Sequence, residues 1–112
     1  MKKVIITGGR NYEDEEKLYN ILTLINPDII IQGGAFGADH LARDWATFNR
    51  IECITVLADW AKHGKAAGPI RNIEMLDTNT DAIVIAFPGG KGTKHCTEAA
   101  LKRNMIVLNV LE

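Results

Sequence analysis

The chain has 112 residues, 46% apolar and 24% charged, the composition of a soluble globular domain with enough chain for one core without disulfide or metal staples. A net charge of −1 argues against a chain built to coat nucleic acid. No apolar run approaches the roughly 18 residues of a membrane span, and Met-Lys-Lys-Val enters a strand with no signal-peptide pattern, so the cytoplasm and no membrane partner are expected.

Lys3–Thr7 (KVIIT) is an apolar, β-branched run broken by Gly8-Gly9-Arg10-Asn11, which predicts a first strand and a glycine turn. Asp14 can cap a helix over Glu15–Ile25, with Leu18, Ile21, Leu22 and Ile25 on one face. Asn26-Pro27 stops it. Asp28–Gln32 reads as strand two, Gly33–Asp39 (GGAFGAD) as its loop, and Ala38–Asn49 as a helix with Leu41, Ala42, Trp45 and Phe48 facing inward. Glu52–Leu57 is strand three. Ala58–Pro69 is one long irregular stretch, and Pro69 suits the first position of a helix to about Thr78. Ala82–Phe87 is a run with no polar alternation, hence a strand buried on both faces. Pro88 and Gly89-Gly90-Lys91-Gly92-Thr93 follow it, with Thr93 placed to cap a helix over Thr97–Arg103 that ends near Asn104. Met105–Val110 is the last strand.

Strands alternating with helices predict an α/β fold: a Rossmann-like, doubly wound parallel sheet of five strands with helices on both faces, residues 1–112 forming one domain. The expected strand order is 3-2-1-4-5. Right-handed crossovers put every strand-to-helix loop on one edge, where ligands bind at the reversal of strand order. All ten glycines fall in those loops and none in the opposite ones. Turn-making alone would not sort them so one-sidedly.

That edge gathers Gly8, Gly9 and Arg10 from the first loop and Gly33, Gly34, Ala35, Gly37 and Asp39 from the second. The third brings Asp59, Trp60, His63 and Lys65, then Arg71 and Asn72 at a helix start; the fourth brings Pro88, Gly89, Gly90, Lys91, Gly92 and Thr93. Each Gly-Gly alone is as well read as a tight turn. Two such loops on adjacent strands, with Arg10, Lys65, Arg71 and Lys91 nearby, point to phosphate held on backbone N–H donors. GGAFGAD is not a strict GxGxxG, and GxxxxGK[ST] is absent. Arg71 in a first helical turn would oppose the helix dipole, so it is expected to serve an anion: a ligand, or a neighbour such as Glu74 or Asp59. Trp60 could stack on a base and His63 contact a sugar or phosphate, within a loop long enough to be a binding loop. His40 and His95 read as helix-surface residues. Glu98 is the carboxylate near the fourth loop, equally readable as a solvated helix residue. Cys53 and Cys96 lack CxxC spacing and read as free thiols; no metal or cofactor is called for.

Together VIITGGRNYED, GGAFGADHLARDWA, ADWAKHGKAAGPIRNIEM and AFPGGKGT resemble the small YspA-type members of the SLOG superfamily, across nearly the whole chain. That superfamily links the DNA-processing protein A fold to the Lonely Guy phosphoribohydrolases. The resemblance implies a Rossmann-like fold, a nucleotide or nucleotide-derived ligand, and a phosphate and ribose pocket shaped by Gly33–Asp39 and Gly89–Thr93 with Arg71. Lonely Guy enzymes carry PGGxGTxxE, whose glutamate takes part in cleaving the N-glycosidic bond. Cys96 stands at that position here, with Glu98 two residues on, about 200° round a helix. The resemblance therefore supports binding of a nucleotide-type small molecule ahead of cleavage.

Two other readings stand behind binding. A phosphoribohydrolase acting on a nucleoside monophosphate would use Glu98 or Asp39 to stabilise an oxocarbenium-like centre or activate water. Single-stranded DNA binding is the weaker one in a lone domain with no net basic charge. Relatives of this group often form dimers, so a homo-oligomer is compatible with the resemblance, although no exposed apolar stripe marks an interface.

Overall fold

A computed structural model describes residues 1–111. In chain order the elements are β1 (Lys3–Thr7), α1 (Glu15–Ile25), β2 (Ile29–Gln32), α2 (Ala38–Phe48), β3 (Glu52–Thr55), α3 (Trp60–His63), α4 (Ala67–Asp77), β4 (Ile83–Ala86), α5 (Lys91–Lys102) and β5 (Val107–Asn109). The five strands form one parallel sheet of order β3-β2-β1-β4-β5. The expected order therefore holds, and strand order reverses between β1 and β4.

Period-two alternation sorts the side chains of β1 between two cores. Val4 and Ile6 pack with Leu18 and Leu22 of α1 and with Ala42 and Trp45 of α2. Ile5 packs on the other face, with Met75 and Leu76 of α4 and Cys96 and Ala100 of α5. Each strand of the sheet's middle is thus covered on both sides, which is why its residues read as an unbroken apolar run.

Helix ends follow local chemistry. The Asp14 carboxylate accepts from Lys17 N at 3.1 Å, and Glu15 and Glu16 favour the positive end of α1. Asn26 closes α1 in the left-handed conformation, its N–H returning to the Leu22 carbonyl at 2.8 Å.

Three expectations need correction. Phe48 is exposed, at 86%, because the buried stripe of α2 runs through Ala38, Ala42, Trp45 and Ala46, and Phe48 falls off its edge at the last residue of the helix. The stretch after β3 is not irregular: α3 is a single turn capped by Asp59, followed by a 3-10 turn at Gly64–Ala66 that runs into α4. Helix α4 therefore begins at Ala67, ahead of Pro69, and α5 begins at Lys91 with Gly90 as its N-cap, ahead of Thr93. No helix among the described residues is long and apolar enough to cross a membrane.

Candidate functional site

The loops of the carboxyl edge are tied to one another by main-chain bonds. Gly9 N donates to the Pro88 carbonyl at 2.9 Å, which joins the β1 and β4 loops. The Gly9 carbonyl accepts from Tyr12 N at 3.2 Å and from Ala38 N at 3.3 Å, which draws in the start of α2. A Cβ at Gly9 would lie 2.9 Å from the Pro88 oxygen, so only glycine allows this approach. Gly37 has φ +82° and sits against the Gly9 and Arg10 backbone, and α2 has no side-chain cap.

Above this floor lies a cavity of about 620 Å³, within the range of small-molecule sites. From β1 come Gly8, Gly9 and Arg10, and from the β2 loop Ala35 and Asp39. Trp60, Lys65, Arg71 and Asn72 form one wall; Gly90, Lys91, Gly92 and Thr93 form the other. Other expected residues stand elsewhere. Gly33, Gly34 and Gly37 lie outside the lining and shape the loop. Pro88 and Gly89 line a neighbouring cavity of about 650 Å³ that shares Gly9, Arg10 and Gly90. Asp59 caps α3 through Lys62 N at 3.1 Å. His63 does not line the cavity, and Glu98 is exposed on α5 outside it.

Asp39 is the one carboxylate among the cavity's lining residues. Its Oδ2 accepts from Gly33 N and from Ala35 N, both at 3.2 Å, and so holds the β2 loop in shape. Burial pushes its pKa up to about 6, against the pull of the Ala35 N–H, the Arg71 guanidinium and the Gly33 N–H. Buried Gln32 anchors the same loop from the end of β2, its amide donating to Thr55 Oγ1 at 2.6 Å.

Arg71 stands in the second turn of α4, not the first, so the dipole argument for it does not apply. What holds it is specific. Nη1 donates to the Gly33 carbonyl at 2.7 Å and Nε donates to Asn72 Oδ1 at 3.1 Å. Among the described residues no carboxylate comes within 4.0 Å of this guanidinium. Its remaining N–H groups are available to an anion in the cavity.

Helix α5 opens on the same space. Its N-cap, Gly90, makes no side-chain capping bond, which leaves first-turn N–H groups free. Neither Gly90 nor Gly92 has a positive φ, and a Cβ at either would meet nothing within 4 Å. Turn geometry and crowding therefore explain neither glycine, whereas an exposed backbone would.

Sequence reasoning missed His95. It is part-buried, lines the cavity, and its Nδ1 lies 3.3 Å from Asn72 Nδ2. Its place four residues after Lys91 puts it on the same helical face, a spacing that could have flagged it. Cys96, at the position of the Lonely Guy glutamate, is fully buried, and burial pushes its thiol up to about 11 despite a hydrogen bond with Thr7. It is a packing residue rather than a nucleophile at neutral pH.

A sequence model of the YspA, cpYpsA-related SLOG family matches residues 2–63. That span holds the β1 and β2 loops and α3; Arg71 and the α5 start lie beyond it. The chain is also 39% identical to the Gene 61 protein of Mycobacterium phage D29 over 121 aligned positions, covering 97% of this chain and 96% of the phage protein.

Proposed function

The chain belongs to the YspA, cpYpsA-related SLOG family, and from that premise we propose that it binds a nucleotide or nucleotide-derived phosphorylated ligand at the carboxyl edge of its sheet. One observation carries this reading: the uncapped α5 start, bared by Gly90 and Gly92, opens into the same cavity as an Arg71 guanidinium that has no carboxylate partner among the described residues. Backbone donors and a forked cation are the two elements that recognise a phosphate. Lys65, Lys91 and Arg10 add charge around it. Trp60, which is 59% exposed at the rim, offers a face for a base.

A thermal-shift titration with AMP, ADP-ribose and a short single-stranded DNA tests this on wild type and Arg71→Ala. A ligand at a hundredfold excess over its dissociation constant adds about 2.7 kcal/mol, or roughly 10 °C in a chain of this size. A nucleotide shift that vanishes in Arg71→Ala supports the reading; no shift with any nucleotide defeats it.

Hydrolysis of the N-glycosidic bond is the second reading, and Asp39 favours it. A carboxyl with a pKa near 6 at a cavity wall is suited to general acid–base work. Free base released from AMP by wild type and not by Asp39→Asn supports it.

A further inference from the structure

Asn72 bonds three different groups at once, and their chemistry dictates which way its amide points. Its oxygen faces Arg71 Nε at 3.1 Å, and that nitrogen can only donate. Its nitrogen faces the Gly92 carbonyl at 3.2 Å, which can only accept. A flipped amide would set N–H against N–H and oxygen against oxygen. With the orientation fixed from both sides, the second hydrogen on Nδ2 is directed at His95 Nδ1, 3.3 Å away. His95 Nδ1 must then accept, so the ring proton sits on Nε2. Asn72 is only 5% exposed, so water does not compete for these contacts.

We propose that Asn72 is a positioning residue that locks His95 as the Nε2–H tautomer, so that His95 presents a neutral donor to an oxygen of the ligand's phosphoryl group. This rests on the phosphate reading of the cavity. His95 lies one turn along α5 from Lys91, on the face that lines the cavity, and Nε2 has no protein partner among the described residues. The same amide thus orients both phosphate-facing side chains: it holds Arg71 from one end and His95 from the other. The assembly selects a ligand that offers acceptor oxygens. A ligand group that donates instead would meet N–H at both side chains.

Nitrogen NMR of the histidine rings reads the tautomer without any ligand. At about pH 8, above the ordinary histidine range, His95 Nδ1 should resonate as an unprotonated and Nε2 as a protonated ring nitrogen. Asn72→Asp replaces the donor with an acceptor and should move the proton to Nδ1. In AMP titrations His95→Ala should weaken binding about tenfold, a loss of about 1.4 kcal/mol. His95→Gln, whose amide nitrogen falls near the Nε2 position, should restore most of it. An Nδ1–H signal in wild type, an unchanged tautomer in Asn72→Asp, or equal AMP affinity in wild type and His95→Ala overturns the proposal. Wild type that binds no AMP or inorganic phosphate overturns the phosphate reading and the donor role together, and the ring signal alone then decides whether Asn72 sets the tautomer.

Discussion

The guanidinium of Arg71 occupies the space that a side chain at Gly33 would need. A Cβ there would lie 2.6 Å from Arg71 Cζ, while Nη1 bonds the Gly33 carbonyl at 2.7 Å. The contact joins the end of β2 to α4 and aims the cation into the cavity. Gly33→Ala should therefore evict Arg71 with little effect on the fold, because the crowded group is the mobile end of a long side chain. The expected outcome is a stability loss below about 1 kcal/mol with AMP affinity as weak as in Arg71→Ala. Urea denaturation beside calorimetric titration checks both halves. Retained affinity in Gly33→Ala would show that this seat does not matter for binding.

Gly92→Ala separates two roles of glycine. In the first turn of α5, with nothing within 4 Å, alanine should stabilise the helix by about 0.5–1 kcal/mol. It should also weaken AMP binding, since its methyl takes up cavity space beside the helix start. A variant that is more stable and binds less well is the expected result, read by thermal melts and titration together. Gly37→Ala is the contrast: at φ +82° and against the Gly9–Arg10 backbone it should lose roughly 1–3 kcal/mol.

Asp39 ties stability to pH. Its folded pKa of about 6 lies above the ordinary aspartate value of 3.8, so the folded state holds the proton more tightly. The associated stability is fully present below the unfolded pKa and is lost as pH rises through the folded one. The loss is about 3 kcal/mol. Asp39→Asn keeps an oxygen for the Gly33 and Ala35 N–H groups and should flatten this dependence. Urea midpoints of both proteins between about pH 3 and pH 8 give the comparison; parallel curves would mean that Asp39 is not the group responsible.

Cys96 should be inert. Burial raises both thiols, Cys96 to about 11, so a thiol reagent at neutral pH should modify the native protein slowly and Cys96 only on unfolding. Mass spectrometry after brief and prolonged exposure assigns the order, and fast native labelling of Cys96 would contradict its packing role.

What the sequence disclosed was local or periodic. The Asp14 cap is a contact across three residues, and the strand order follows from alternating strands and helices. The start of α5 was harder to place, because Gly90-Lys91-Gly92 reads as loop by propensity, yet its glycines sit at an N-cap and in a first turn. Phe48 is apolar and ends its helix, so periodicity groups it with a buried stripe that it only borders. The Arg71–Asn72–His95 arrangement was illegible for another reason: it joins α4 to α5, more than twenty residues apart, and depends on which way one amide points. Arg71 stands out in the sequence as a cation near a helix start, yet its second-turn position removes the dipole argument for it.

Gly9 is the point at which the β1 loop, the β4 loop and the start of α2 meet, through one amide and one carbonyl. Segments hung from a single residue are slow to fray one by one. Opening at that residue releases the turn before α1, the Pro88 loop and the start of α2 in one event. The Gly9 amide proton should then exchange with solvent at a rate that reports this shared opening rather than a loop fluctuation. A bound ligand that spans two of the three segments would lengthen that lifetime, which gives the pocket a built-in timer readable at one backbone position.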